Sequence, residues 1–484
     1  MWSGMKIVII GAGFTGSLLA KALVAERNKV VLIDKSPERV RSAGDQLDCT
    51  VIEADGADLD VLEKAGIASA DALITLTGDD DINMITCSLI DAVYPDVLKI
   101  ARVRNYDYYR RTVEVVRRGK KRLPDATRPM FGIDHIINPD VAAASSIVRA
   151  MEIGAAGSAT EIAGGYEIIV LPVVGDGPLA GRKLRELASL QDWSYLVAFV
   201  ESNGETELPC GETVLKAGDH VGVLAHNSEV SKLLRFVGVA STPIKRVAIF
   251  GADNVGALTV AAQDERKKAF WRAFLKLGKT KNRELLVIDR DAELCRSLAD
   301  KFPDARILNG DITDDGFLQS EGICECDLMV AASGNYERNL LTAAYLKLRG
   351  VTKAIALTLD SAFGGIAAKL GIDVTVPMRD VVIDTIMSHL RGRNIKAVHS
   401  VGARKFEIVS CEVSSKGDVV GRKLKDIDEL KGSLVLLIRQ PENSGYEIPN
   451  GGTELREGAF VVLIMPSGDS EMLEMFAGKP EMGA

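Results

Sequence analysis

At 484 residues the chain is longer than one hydrophobic core can organise, and three or four domains are expected. A hydrophobic content of 47% with 26% charged residues fits a soluble globular protein, and a formal charge of −8 argues against nucleic acid as a partner. Seven cysteines cannot all pair, and Cys324 and Cys326 lie one residue apart with no second pair to complete a zinc set. A reducing cytoplasm and no metal are therefore expected.

Met1 to Met5 run straight into Lys6–Ile10, which reads as a strand rather than as the regions of a signal peptide. Apolar stretches break well before the roughly 18 residues that span a bilayer, so any membrane attachment would come through a partner. Directly after this strand stands Gly11-Ala-Gly13-Phe14-Thr15-Gly16, followed by the apolar helical run Leu18 to Leu23. In this context each glycine has its own role. Gly11 permits the tight turn, Gly13 the close approach of a pyrophosphate, and Gly16 the packing of the helix on the strand. The helix start offers free N–H groups and positive dipole to an anion.

The second strand, Val30 to Ile33, ends in Asp34-Lys35. A carboxylate there accepts ribose hydroxyls and repels a 2′-phosphate, so NAD or NADH is preferred over the phosphorylated dinucleotide. Asp55 after the third strand is a candidate for the adenine edge, and Thr77 after the fourth lines the same cleft. Asn83 and Arg102 either contact phosphate or structure the cleft, and Asp79 to Asp81 read as helix caps.

The pattern then repeats. Val247 to Gly256 restates Ile7 to Gly16 with a shift of 240 residues, and Gly421-Arg-Lys-Leu424 restates Gly181-Arg-Lys-Leu184 with the same shift. Each copy carries its own insertion, a basic one near 112–131 and a charged helical one near 262–283. The expected fold class is α/β: two tandem Rossmann-type parallel-sheet domains, each followed by a small α/β domain. The boundaries are 5–134 for the first Rossmann-type domain and 135–238 for its helical connection and small domain. The second pair occupies 244–374 and 375–480, after a linker at 239–245.

The second site reads as weaker. Gly251, Gly256, Asp289 and Asp311 match the first copy, but Asp253 stands where the middle glycine should be and opposes a phosphate both by bulk and by charge. No chemistry is evident: none of the five histidines, His135 and His389 among them, falls in a triad or metal spacing. Binding without turnover is the simpler account, with an NAD-dependent oxidoreductase or a nucleotide-sensing scaffold as alternatives. The runs Val141–Val148 and Ile383–Leu390 suit packing against a sister domain; oligomerisation is the favoured reading and core packing the other.

These residues resemble the TrkA family of Trk potassium-uptake regulators, built from two RCK domains. The likeness rests on the Gly11 to Gly16 strand-turn, on Asp34-Lys35, Val61 to Gly66, Ala70-Asp71-Ala72, Thr77 to Asn83, and Ala101-Arg102-Val103. Asp134 to Pro139 and the two Gly-Arg-Lys-Leu segments continue it. The resemblance implies a cytoplasmic, non-catalytic subunit that binds NAD(H), ATP or ADP. It further implies assembly as a homodimer or homotetramer on a membrane potassium transporter, attached peripherally to the inner face of the membrane.

Overall fold

The computed structural model describes residues 4–109, 130–152, 159–175, 177–187, 193–202, 204–238, 244–263, 283–390, 395–402, 405–415, 417–443 and 445–478. Most of both insertions and the linker core at 239–243 lie outside these residues.

The first repeat opens with β1 (Lys6–Ile10), α1 (Phe14–Ala25), β2 (Lys29–Asp34), α2 (Pro37–Gln46), β3 (Thr50–Glu53), α3 (Leu59–Lys64), β4 (Ala72–Thr75), α4 (Asp80–Val93), β5 (Leu98–Arg102) and β6 (His135–Ile137). Its six strands form a wholly parallel sheet in the order β3-β2-β1-β4-β5-β6. Strands β1 and β4 are buried on both faces, which is why they read as continuous apolar runs rather than as alternations. The chain winds outward in opposite senses from β1 and β4, and the glycine loop leaves the carboxyl end of β1 at that switch point, where open α/β sheets bind ligands.

A connecting helix, Pro139–Glu152, leads to a small antiparallel sheet of β7 (Ala159–Ala163), β8 (Tyr166–Pro172), β9 (Tyr195–Ser202), β10 (Glu205–Glu207) and β11 (His220–His226), ordered β10-β9-β11-β8-β7. The second repeat restates the plan. β12 (Arg246–Phe250), β13 (Glu284–Asp289), β14 (Arg306–Asn309), β15 (Leu328–Ala331), β16 (Lys353–Thr358) and β17 (Val374–Pro377) form the parallel sheet β14-β13-β12-β15-β16-β17. The helix Met378–Leu390 then leads to β18 (Ile395–Val401), β19 (Phe406–Glu412), β20 (Leu434–Arg439) and β21 (Phe460–Pro466), ordered β18-β19-β21-β20. The architecture is the tandem α/β arrangement expected.

The repeats do not bury their connecting helices on themselves. Val141, Ala144, Ile147 and Val148 of the first connecting helix share a core with Val247, Ile249 and Val287 of the second repeat's sheet. Val382, Ile383, Ile386 and Met387 of the second share a core with Ile7, Ile9, Leu19 and Leu32 of the first. The two small sheets also face each other, with Ile168, Phe199 and Leu224 packed against Ile408, Leu437 and Val462. The apolar runs 141–148 and 383–390 thus meet a sister domain within the same chain. Reading them as oligomer surfaces is corrected, because their apolar faces are consumed inside the fold. With several such side chains fully buried, each truncation would cost about 2–5 kcal/mol, so the repeats are held as one unit.

Candidate nucleotide-binding site

The first glycine loop is built from close backbone contacts. Gly11 has φ +106°, a conformation that a side chain would strain, and a Cβ on Gly16 would stand 1.9 Å from the Gly11 carbonyl oxygen. Gly13 differs: its backbone is extended and nothing lies within 4 Å of where a Cβ would be. The fold therefore needs Gly11 and Gly16, whereas Gly13 opens onto space. It precedes α1, which has no side-chain cap, while Ser36, Asp58 and Asp79 cap α2, α3 and α4. The first N–H groups of α1 thus remain available to an anion.

Asp34 is buried and pins this loop. Its Oδ2 accepts the Ala12 N–H at 2.7 Å, its Oδ1 accepts the Ser36 N–H at 2.9 Å, and Arg39 Nη1 stands 3.6 Å away. Across the cleft, Asn83 is fully buried and ties two strand ends together. Its Oδ1 accepts the N–H and hydroxyl of Thr77 at 3.0 and 2.7 Å, and its Nδ2 donates to the carbonyls of Thr77 and Arg102 at 3.2 and 2.9 Å. Of the two readings for Asn83, structuring the cleft is the one realised. Arg102 donates from Nη2 to the Thr77 carbonyl at 2.7 Å and also lines the cleft; burial, then neighbouring Arg104, lowers its pKa.

These elements enclose a cavity of about 550 Å³. The sequence-derived residues Gly11, Gly13, Phe14, Thr15, Gly16, Asp34, Lys35, Asp55, Thr77 and Arg102 all line it, with Lys35 and Asp55 exposed at the rim. Asp55 also accepts the Ala57 N–H at 3.0 Å. Arg39, Arg104, Tyr336, Met378 and Arg379 line the cavity as well, and sequence reasoning missed them. Five cationic side chains face three carboxylates in this lining, a positive surplus in a chain whose formal charge is −8.

The second glycine loop has the same skeleton. Gly251 has φ +108°, a Cβ on Gly256 would lie 1.9 Å from the Gly251 oxygen, and Asp289 accepts the Ala252 N–H at 2.8 Å. Asp311 is bound up locally: the Thr313 N–H and Arg290 hold its carboxyl down to about 2. Ser333 and Asn339 reproduce the Thr77–Asn83 tie, with the Ser333 hydroxyl 2.6 Å from Asn339 Oδ1. What differs is Asp253, whose Oδ2 accepts the Gly334 N–H at 2.6 Å. Burial raises its pKa, while the N–H groups of Gly334 and Gly256 pull the other way. The matching position in the first repeat, Gly78, has nothing within 4 Å of its Cβ direction. The second loop is bridged by its own carboxylate where the first is open.

Comparison with known proteins agrees with this architecture. The TrkA-N domain family model matches residues 7–139 and 272–377, and the TrkA-C domain model matches 157–238. The chain belongs to the TrkA family. It is 28% identical to a Trk system potassium uptake protein TrkA from Azorhizobium caulinodans, over 97% of this chain and 98% of that protein. A Trk system potassium uptake protein TrkA homolog 2 from Methanosarcina mazei is 29% identical over 95% of this chain and 97% of its own. Among solved structures, the GsuK RCK domain superposes with a TM-score of 0.56 at 18% identity, covering 98% of this chain and 94% of that one. A GsuK channel bound to NAD superposes with a TM-score of 0.55 at 17% identity, covering 98% and 79%. These two share the fold. Among the described residues, no helix is long and apolar enough to cross a membrane, and no group of three or more potential ligands could hold a metal ion.

Proposed function

We propose that this TrkA-family chain is the nucleotide-responsive regulatory subunit of a membrane potassium transporter, with NAD(H) or an adenine nucleotide held in the first repeat's cavity. The observation that carries this reading is the open cradle at Gly13 and Gly78, set over an uncapped helix start in a cavity with surplus positive charge. A pyrophosphate fits the Gly13 to Gly16 amides, and Asp34 at the end of β2 takes the ribose and disfavours a 2′-phosphate. Asp55 and Lys35 stand at the adenine rim, and Thr77 and Arg102 face the phosphates.

The second site, with Gly251, Gly256, Asp289 and Asp311, is the weaker one, because the Asp253 carboxylate takes an N–H that a phosphate would otherwise use. The names of the relatives and the NAD in a channel of the same fold support the assignment. Exposed apolar side chains on matching helices, Ile85 on α4 and Leu341 on helix Tyr336–Leu348, support a homodimer or homotetramer. The place of action is the cytoplasmic face of the membrane, reached through the transporter. A nucleotide gates the transporter only by binding one arrangement of the assembly more tightly than another.

The test is co-purification with a Trk-type membrane subunit, followed by potassium-flux measurements with NAD, NADH, ADP and ATP. Nucleotide-dependent flux is expected. Turnover of a bound dinucleotide with a hydroxy or amino substrate, and no effect on flux, would favour an oxidoreductase instead.

A further inference from the structure

The first repeat's cavity is roofed by the second repeat. Tyr336, Leu359, Met378, Arg379 and Val382 line it together with the glycine loop, because the helix Met378–Leu390 is exchanged onto the first sheet. Of these, Arg379 reaches the glycine loop at the start of α1. Its guanidinium carbon lies 3.3 Å from the centre of the Phe14 ring, and Phe14 follows Gly13 directly at the start of α1. Its side chain is 18% exposed, and Nη1 donates to Asp360 Oδ2 at 3.3 Å. A guanidinium that stacks by its face keeps its edge N–H groups for hydrogen bonds in the plane, and a phosphate is the group that such an edge recognises best. Burial lowers the pKa of Arg379, so an anion in the cavity would relieve a desolvation cost as well as add a contact.

The second site shows the contrast. Matching Asp134 with Asp373, each of which accepts an N–H from the neighbouring strand, and the helix starts Pro139 with Met378, puts Asp140 where Arg379 stands. The corresponding loop contact there is Asn254 Nδ2 to Asp140 Oδ2 at 3.0 Å. The open cradle is therefore faced by an arginine from the other repeat, and the cradle closed by Asp253 is faced by an acidic residue. Two independent differences between the repeats, one in the loop and one in the exchanged helix, point to an anion in the first site.

We propose that Arg379 is a ligand residue of the first repeat's site, supplied by the second repeat to hold the negative charge of the nucleotide's phosphates. This rests on the nucleotide reading above and adds a consequence. The site is complete only while the two repeats are docked, so nucleotide binding and repeat docking strengthen each other by linkage.

Titration calorimetry on the full chain tests this, using adenosine, ADP, ATP and NADH against the wild type, R379Q and R379K. In R379Q, ADP, ATP and NADH should bind at least tenfold more weakly, with a shallower salt dependence, while adenosine binding is unchanged. R379K, which keeps the charge without the planar fork, should fall between. Equal affinities and salt slopes for the phosphate-bearing ligands in wild type and R379Q overturn the inference. So does a parallel loss of adenosine binding, which marks a merely structural arginine. If R379Q fails to fold, an R379K chain with unaltered ADP and ATP binding overturns it equally. A wild type that binds none of these ligands refutes the nucleotide reading itself, a result distinct from the other outcomes.

Discussion

The Asp253 carboxylate accepts the Gly334 N–H at 2.6 Å, closing across the second glycine loop a gap that Gly13 and Gly78 leave open in the first. The carboxylate thus occupies, in the second loop, the position that the proposed nucleotide phosphate would take in the first. In a chain already carrying Gly13→Asp, so that the first site is silent, Asp253→Ala frees the solvent-facing Gly334 N–H and removes a carboxylate whose ionised form burial penalises. Stability without phosphate should therefore change by no more than about 1 kcal/mol. Inorganic phosphate should raise the unfolding temperature of the double variant and do nothing for that of the single one. Thermal unfolding with and without phosphate measures both, and equal phosphate responses would mean that Asp253 is no phosphate surrogate.

Replacing Gly13 itself separates what the fold needs from what a ligand needs. With nothing within 4 Å of its Cβ direction, Gly13→Asp copies the second repeat and should leave the unfolding temperature of the free chain unchanged or raised. The temperature increase on adding NADH or ATP should vanish. Gly16→Ala behaves oppositely: its Cβ would meet the Gly11 oxygen at 1.9 Å, so the free chain should lose roughly 1–3 kcal/mol. A Gly16→Ala chain as stable as the wild type would contradict the close approach of α1 to the Gly11 carbonyl.

Much of this was legible in the sequence because it is local. The glycine spacing after β1, the aspartate at the end of β2 and the carboxyl ends of β3 and β4 are set by short-range pattern, and the structure places all of them around one cavity. Asp253 could be read as an obstacle from its position alone, but not its bond to Gly334, which lies beyond the fourth parallel strand. Arg379 gave no signal. It follows Val-Thr-Val-Pro-Met, an ordinary start to a helix, and reaches the first site only because the connecting helices are exchanged. That exchange depends on which of two similar sheets covers each apolar face, and hydrophobic periodicity does not distinguish them.

The exchanged helices also set a pH response. His135 on β6 stacks on His389 of the helix Met378–Leu390 with ring centroids 3.8 Å apart. Burial lowers both pKa values, that of His389 to about 4 with His135 adding to the effect, while Asp134 opposes the shift at His135. A histidine whose folded pKa lies below its unfolded value of about 6.5 takes up a proton more readily when unfolded. Its contribution is therefore present above pH 6.5 and is lost as the pH falls from about 6.5 to 4. With solvent screening around the half-buried rings, roughly 1–2 kcal/mol should disappear across that window. His389→Phe keeps a stacked ring without the titration, so denaturant unfolding of this variant should show a flatter dependence between pH 6.5 and 4. An unchanged slope would assign the acid sensitivity to other groups.

The exchange can be seen directly in where a truncation is felt. Ile386 is fully buried among Ile7, Ile9 and Leu19 of the first repeat, and Ile147 among Val247, Ile249 and Val287 of the second. Each alanine substitution should cost about 2–5 kcal/mol, but the loss belongs to the sheet that the helix covers rather than to the repeat that encodes it. Amide hydrogen exchange on the full chain reads this out, because local opening follows the stability of each cooperative unit. With Ile386→Ala, faster exchange is expected in β1, β2 and α1 while β12 and β13 stay protected. With Ile147→Ala the pattern should invert. If each substitution instead loosened only its own repeat's sheet, the helices would be packed at home, and Arg379 would lose the route by which it reaches the first glycine loop.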